Sequence, residues 1–265
     1  MRKTDRMCSL RSNSWKAEYM RELLTGLSAL AMLASSPAHA DRVEDAIESQ
    51  DRTDADRALD ERRMPAEVLH FADIQKGETV ADFMAGGGYY TAMIADLVGP
   101  EGTVYALNPA TFHNEEEWAA RTASHSNIRP IATGNRALVL PPDSVNTVFS
   151  HLTFHDIYWE SERFQMERID EGAMLANWFA ALKPGGQVIV VDHFGPSGDT
   201  RDVVDAYHRI NPATVIADME VAGFVLAGQS DMLRRSDDNP TISVFDASVR
   251  GKTDRFVMKF HKPVK

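Results

Sequence analysis

The chain has 265 residues, and 43% of them are hydrophobic, which is enough to build one sizeable core. Its formal net charge of −11 at pH 7 makes it strongly acidic. Nucleic acids and anionic membranes attract proteins through Lys and Arg, so we expect neither as a partner. The single cysteine, Cys8, excludes an internal disulfide and a cysteine-based zinc site.

The start of the chain is typical of an export leader. After Met20 the sequence reads "RELLTGLSALAMLASSPAHA", with a basic start, an apolar stretch over residues 23–34 and a small-x-small cleavage site that ends at Ala40. The apolar stretch is shorter than the roughly 20 residues that cross a bilayer, so we expect no stable membrane anchor. Residues 1–19 are polar and patternless, which predicts Met20 as the true start and residues 1–40 as a leader that is removed. The mature protein is therefore predicted to be periplasmic.

Residues 41–75 are predicted to form an N-terminal helical cap, because "RRMPAEVLHFADIQKG" places Pro65 in a first helical turn and apolar residues on one face. Over residues 76–265, β-type runs then alternate with helical segments, and the last strand is predicted to be antiparallel. This order predicts an α/β domain with a doubly wound, Rossmann-like, mostly parallel sheet. The charge runs at 41–63 and 234–238 are interpreted as solvated faces.

Three consecutive glycines, Gly86, Gly87 and Gly88, follow the first predicted strand in "VADFMAGGGYYT". Glycine has no Cβ atom, so it adopts positive φ and lets a ligand touch the backbone, while the helix that follows offers free N–H groups to an anion. A plain tight turn needs only one glycine, so three predict a ligand-binding loop. The dinucleotide fingerprint G-x-G-x-x-G/A is not matched, because Tyr89 and Tyr90 follow the triplet.

The glycine loop, "LVGPEGTVYALNP", "ALKPGGQVIVVDH" and the tail from "HRINPATVIADMEVAGF" onward resemble the class I S-adenosylmethionine-dependent methyltransferases. The likeness covers nearly all of residues 65–265, and together these stretches resemble a bacterial group of exported predicted methyltransferases. The resemblance implies S-adenosylmethionine as cofactor and methyl transfer to an oxygen or nitrogen nucleophile of a small molecule. The cofactor-binding residues that it implies are Asp82, Ala85, Gly86, Gly87, Gly88, Tyr90, Asn108, Asn135 and His151.

Two of these residues depart from the pattern of the family. Asn108 stands where the family usually has an acid that holds the two ribose hydroxyls, and Asn135 stands where an acid often meets the adenine amino group. A carboxylate accepts hydrogen bonds from both hydroxyls, whereas an amide offers one acceptor oxygen and two donor hydrogens.

A polar cluster is predicted at the ends of the fourth and fifth strands. "SHLTFHDIYW" places His151, His155 and Asp156 there, and "VVDHFG" adds Asp192 and His193. Adjacent parallel strands bring both groups to one edge of the sheet. We predict catalytic roles for His155, His193 and Asp156, with either histidine as general base and a carboxylate to orient it.

Other interpretations stay open at this point. The same His and Asp side chains could bind a metal ion and make the protein a metal-dependent hydrolase. A non-catalytic periplasmic binding protein on the same fold is another alternative. The aromatic residues Phe154, Tyr158 and Trp159 could form a substrate wall or pack in the core. The sequence does not indicate an oligomeric state.

Overall fold

The computed structural model describes residues 37–264. The predicted start at Met20 and most of the predicted leader lie outside these residues, and the predicted cleavage position after Ala40 lies within the first helix, α1 (Pro37–Glu48). Three further helices complete the cap: α2 (Asp54–Arg57), α3 (Asp60–Arg63) and α4 (Pro65–Ala72). None of the helices in residues 37–264 combines the length and the hydrophobicity that crossing a membrane requires.

The rest of the described chain builds a sheet of seven strands with helices on both faces, which confirms the predicted fold class. The strands are β1 (Thr79–Phe83), β2 (Thr103–Pro109), β3 (Ile128–Thr133), β4 (Val145–His151), β5 (Leu182–His193), β6 (Val225–Ser230) and β7 (Arg255–His261). Their order is β3-β2-β1-β4-β5-β7-β6. The pairs from β3 to β5 are parallel, and β7 is antiparallel to both β5 and β6.

The helices of the sheet domain are α5 (Tyr89–Val98), α6 (Glu115–Ser124), α7 (Glu171–Ala181), α8 (Thr200–Tyr207) and α9 (Pro212–Val221). A side-chain oxygen caps the first turn of α6, α7, α8 and α9, supplied by Asn or Asp. Helix α5 differs, because Gly88 precedes it in a left-handed conformation and no side chain caps it. Its first-turn N–H groups are therefore free of a side-chain acceptor.

The topology places a crevice at the carboxyl end of β1. This strand pairs with β2 on one side and with β4 on the other, so the chain reverses its direction across the sheet at β1. Ligands of open α/β sheets bind at such a reversal. The two hydrophobic clusters that cover the faces of the sheet each contain residues of both β1 and β4.

The interpretation of both charge runs as solvated faces is wrong for several of their members. Arg52 and Asp56 are each only 5% exposed, and both form ion pairs. The side chain of Asp238 is fully buried and forms a bidentate ion pair with Arg209, at 2.6 and 3.1 Å. Each partner lies far away in sequence or in another element, so a local charge pattern does not reveal the burial.

Candidate functional site

A cavity of about 790 Å³ opens at the carboxyl ends of β1 and β4. Residues 84–87 of the glycine loop, which runs from 84 to 88, form its floor, and residues 51–63 of the cap and one face of α6 form its walls. The cavity is lined by six of the predicted cofactor-binding residues: Asp82, Ala85, Gly86, Gly87, Tyr90 and His151. The sequence pattern and the geometry therefore indicate the same place.

The glycines of the loop have different tasks. Gly86 adopts φ 59°, and a Cβ atom there would meet nothing within 4 Å, so this backbone is open to a ligand. Gly88 adopts φ 78°, and its Cβ would lie 2.9 Å from the ring of Trp118. Gly88 does not line the cavity. Its lack of a side chain instead allows Trp118 of α6 to pack closely against the loop.

Asp82 is one of four acidic residues that line the cavity, with Asp51, Asp56 and Glu117. The Asp82 side chain is 3% exposed, and its Oδ2 atom accepts a hydrogen bond from Thr91 Oγ1 at 2.5 Å. Burial raises the pKa of Asp82 to about 7, although the hydrogen bond from Thr91 and the charge of Arg63 both act to lower it. A carboxyl group that titrates near neutral pH in a cavity is a mark of a functional site.

Arg63, which sequence reasoning missed, is one of two arginines that line the cavity, and the other is Arg121. Arg63 ends α3, and its guanidinium lies 4.3 Å from the ring centroid of Tyr89. Within residues 37–264 it forms no ion pair with a carboxylate, and burial lowers its pKa. The only sequence signal was the charge run itself, in which nothing distinguishes Arg63 from Arg62.

Two sets of polar contacts connect the cap to the glycine loop and to the start of α5. Arg121 forms a bidentate ion pair with Asp56, and both contacts are 2.8 Å long. Its Nε atom also donates to the carbonyl oxygen of Gly87 at 3.0 Å. The Tyr89 hydroxyl donates to Asp60 at 2.6 Å. The cap is thus part of the site rather than a separate appendage.

The two asparagines bond to the chain itself. Asn108 Oδ1 accepts from the N–H of Gly86 at 2.8 Å, and its Nδ2 lies 3.4 Å from the carbonyl oxygen of the same glycine. Asn135 donates to the carbonyl oxygen of Glu167 at 2.6 Å and accepts from its N–H at 3.1 Å. Both asparagines are buried, and neither lines the cavity.

His151 lines the cavity and stays neutral. Burial moves its pKa well below the ordinary value, and the charges of Arg63 and Arg255 add to this effect. Its ring lies 4.6 Å from that of Tyr90. Its Nε2 atom is buried and has no hydrogen-bond partner in the part of the chain that the structure describes. A ligand group that donates a hydrogen bond would satisfy this atom.

The imidazole ring of His155 lies between two carboxylates. Its Nδ1 atom lies 2.8 Å from Asp192 and its Nε2 atom 3.5 Å from Asp156. Burial alone would lower the pKa of His155, but the two carboxylates raise it to about 9. Burial also raises the pKa of Asp156, to about 6. His155 is therefore an imidazolium with both nitrogens engaged, which makes it unsuited to accept a proton in this arrangement.

His193 has the opposite character. Its Nδ1 atom lies 2.7 Å from Thr253 Oγ1, and its ring centroid lies 5.9 Å from that of His155. Burial moves its pKa well below the ordinary value, and the charges of His155 and Arg255 lower it further. His193 is the neutral imidazole of the pair. Like His155 and Asp156, it does not line the cavity.

The His and Asp cluster does not resemble a metal centre. Within residues 37–264, no three side chains of His, Cys, Asp or Glu are arranged to hold a metal ion. The short contacts in the cluster pair each imidazole with a carboxylate or a hydroxyl. The geometry therefore does not favour the metal-dependent hydrolase.

The aromatic flank divides between core and surface. Phe154 and Tyr158 are buried in the core, whereas Trp159 is partly exposed. Trp159 belongs to a row of rings that we call the aromatic strip, in which neighbouring centroids lie 4.8–6.0 Å apart. The strip consists of Phe112, Phe164, Trp159, His208 and Phe245. Its three phenylalanines are 37–59% exposed, and its members follow the carboxyl ends of several strands.

Comparison with known proteins identifies methyltransferases. A ubiquinone/menaquinone biosynthesis C-methyltransferase of Pasteurella multocida (strain Pm70) is 23% identical over 156 residues, which cover 58% of this chain and 54% of that protein. The chain thus spans about half the length of this curated relative. No protein-family model matches the sequence.

Two solved structures share the fold. The S-adenosylmethionine-dependent methyltransferase of Mesorhizobium loti has a TM-score of 0.53 and 16% identity, over 77% of this chain and 99% of that chain. The 1,6-didemethyltoxoflavin-N1-methyltransferase of Burkholderia thailandensis, with bound 1,6-didemethyltoxoflavin and S-adenosylhomocysteine, has a TM-score of 0.51 and 14% identity, over 97% and 93%. The chain therefore has the class I methyltransferase fold.

Proposed function

We propose that this protein is an S-adenosylmethionine-dependent methyltransferase that acts on an oxygen or nitrogen nucleophile of a small molecule. The observation that carries the proposal is the cavity above the glycine loop, whose lining includes Asp82 and Arg63, an acidic and a cationic side chain that form no ion pair within residues 37–264. The methionine end of the cofactor carries an ammonium group and a carboxylate, so its charges complement those of the cavity. The open backbone at Gly86 leaves room for close contact with such a ligand.

When bound, S-adenosylmethionine supplies an electrophilic methyl group. The protein's own contribution is first to position the two reactants, which accounts for much of the rate gain in such transfers. Where the acceptor must lose a proton, His193 is the better base, because it is neutral and its Nδ1 is held by Thr253. His155 provides a fixed positive charge beside it.

The aromatic strip supports a small, flat acceptor. Exposed rings in contact with one another favour stacking with an aromatic ligand. The strip contacts His155 through His208, at a centroid distance of 5.7 Å, and so adjoins the histidine pair. The names of the Pasteurella relative and the Burkholderia neighbour both describe enzymes of small-molecule metabolism, which agrees with a small acceptor. The first name specifies transfer to carbon, and the second specifies transfer to nitrogen.

Two measurements on the full chain test the proposal. Isothermal titration should detect binding of S-adenosylhomocysteine, and mass spectrometry should detect a methyl group on members of a panel of phenols and amines. His193→Gln should bind the cofactor product normally and lose turnover, whereas His70→Gln, in the cap, should retain both. No binding at millimolar ligand would exclude the proposed activity. Binding without transfer to any acceptor would favour the alternative of a binding protein.

We also propose that the protein is exported and functions in the periplasm. The support is the three-part leader pattern that ends at Ala40. Sequencing the N-terminus of protein recovered from a periplasmic fraction should find Asp41 as the first residue. Recovery of an uncleaved chain from the cytoplasm alone would contradict export.

A further inference from the structure

We infer that this cavity selects its ligand by the amino-acid end, through Arg63 and Asp82, and that Asn108 leaves the ribose hydroxyls unrecognised. The inference rests on the proposed function, because it takes the ligand to be S-adenosylmethionine or its demethylated product. It reverses the role that the resemblance implied for Asn108. Three features of the described residues carry it.

The first feature is that Arg63 forms no ion pair with a carboxylate within the described residues. The other arginine that lines the cavity, Arg121, pairs with Asp56, and Arg52 of the cap pairs with Asp60. The Arg63 guanidinium contacts the face of the Tyr89 ring and forms no ion pair within the described chain, and the charges of Asp56 and Asp82 act on it only at a distance. A guanidinium removed from water gains most from a carboxylate, which it binds through two parallel hydrogen bonds. The cavity thus presents a ready site for the carboxylate of an amino acid.

The second feature is the free acceptor on Asp82. Thr91 occupies Oδ2, and Oδ1 accepts no hydrogen bond from residues 37–264. An ammonium group would donate to Oδ1 and would also stabilise the ionised carboxylate that burial disfavours. Asp82 and Arg63 together therefore match a zwitterion, and neither needs the adenosine part of the ligand.

The third feature is the closed pairing between Asn108 and Gly86. The amide accepts from the N–H and approaches the carbonyl oxygen of the same residue, so both of its polar atoms face the glycine loop. A carboxylate at this position would accept from the N–H but would have no hydrogen to donate to the carbonyl oxygen. The replacement of an acid by an amide is explained by this pairing. The side chain is 1% exposed and outside the cavity, so it offers nothing to a ribose hydroxyl.

Isothermal titrations of the full chain with three ligands distinguish recognition of the amino-acid end from recognition of the ribose. The ligands are S-adenosylhomocysteine, its decarboxylated analogue, and its 2′-deoxyribose analogue. Loss of the carboxylate should weaken binding by about tenfold or more, the usual effect of a lost charge-assisted hydrogen bond. Loss of the 2′-hydroxyl should weaken binding by less than about threefold, because no bond to a charged group is lost.

Variants assign these effects to residues. Arg63→Gln should weaken binding of S-adenosylhomocysteine by about tenfold and leave binding of the decarboxylated analogue unchanged. Arg62→Gln is the matched control, because Arg62 lies on the same helix outside the cavity and should change neither. Asn108→Ala should weaken S-adenosylhomocysteine and the 2′-deoxy analogue by the same factor, since it loosens the loop without touching the ribose.

Failure of the inference is distinct from failure of the proposed function. No binding of S-adenosylhomocysteine to the wild-type protein would exclude the function. Normal binding together with a tenfold loss for the 2′-deoxy analogue, or with an Arg63→Gln variant that binds as tightly as wild type, would overturn the inference alone. The affinities of the wild-type protein for the three ligands test the inference even where a variant does not fold.

Discussion

Arg121 joins Asp56 to the glycine loop. Its two terminal nitrogens each lie 2.8 Å from the Asp56 carboxylate, while its Nε donates to the carbonyl oxygen of Gly87 at 3.0 Å. One side chain on α6 therefore holds both the cap and the floor of the cavity. The side chains of Asp56 and Arg121 are 8% and 14% exposed, so water does little to replace either partner.

We expect Arg121→Gln to lower the free energy of unfolding by about 2–3 kcal/mol, because it leaves a buried carboxylate unpaired. Thermal or denaturant unfolding measures the loss. Asp56→Asn in the same chain should recover part of it, because the uncompensated charge is then removed. A double variant that loses the full sum of the two single effects would show that the ion pair does not link the cap to the loop.

Gly86 and Gly88 should respond differently to alanine. Gly88→Ala places a Cβ 2.9 Å from the Trp118 ring at a positive φ, so we expect a loss of unfolding free energy of more than about 2 kcal/mol. Gly86→Ala meets open space and carries only the cost of its left-handed backbone, about 1 kcal/mol.

For ligand affinity we expect the opposite order, with a larger loss for Gly86→Ala than for Gly88→Ala. The new methyl group at Gly86 enters the cavity floor, so Gly86→Ala should weaken S-adenosylhomocysteine more than its small effect on stability suggests. Titration calorimetry beside thermal unfolding separates the two effects. Equal losses of stability in both variants, with equal affinities, would contradict these separate roles.

Asp82 should make the folded state less stable as pH rises. The pKa of Asp82 is about 7 in the folded protein and ordinary, near 3.8, in the unfolded chain. Between these values the folded state retains a proton that the unfolded state has lost, so the unfolding free energy falls as pH rises from about 4 to about 7. The total effect is up to about 4 kcal/mol.

Asp82→Asn should remove this dependence. Its stability relative to wild type should increase steadily between pH 4 and pH 7 and then stay constant, as urea unfolding at a series of pH values would measure. Asp45→Asn serves as the control, because Asp45 is exposed on α1, outside the cavity. A constant difference between Asp82→Asn and wild type over this range would mean that Asp82 titrates normally.

The sequence predicted the elements whose cause is local. The glycine loop, its preceding strand and the N-cap at Asn211 each follow from a short stretch of residues, and the structure has all three. The class of fold followed from the alternation of strands and helices. The ligand edge of the sheet followed in turn, because the first strand-to-helix turn lies there.

The roles of individual side chains did not follow from the sequence. Arg63 and Arg62 are adjacent in one charge run, and only the orientation of a short helix decides which one lines the cavity. The partner of Asn108 is a backbone group 22 positions away, and the charge of His155 depends on Asp192, 37 positions away. Such contacts form only when the strands are assembled, so residue types and spacing alone do not reveal them.

His155 should stabilise the folded protein below neutral pH and lose that effect in alkali. Burial opposes its charge, but Asp192 and Asp156 raise its pKa to about 9, compared with 6.5 in the unfolded chain. The stabilising contribution is therefore complete below about pH 6.5 and is lost as pH rises through about 9. It amounts to about 3 kcal/mol.

His155→Gln should be much less stable than wild type at pH 6 and closer to it at pH 9.5, as denaturant unfolding would measure. His125→Gln offers a control: the hydrogen bond that His125 donates to Asp96 also raises the pKa of His125, but this pair is partly exposed at Asp96 and should give a smaller change. Proton NMR would follow the imidazole of His155 directly. A titration midpoint near 6.5 for that ring would show that the two carboxylates do not hold it in the charged form.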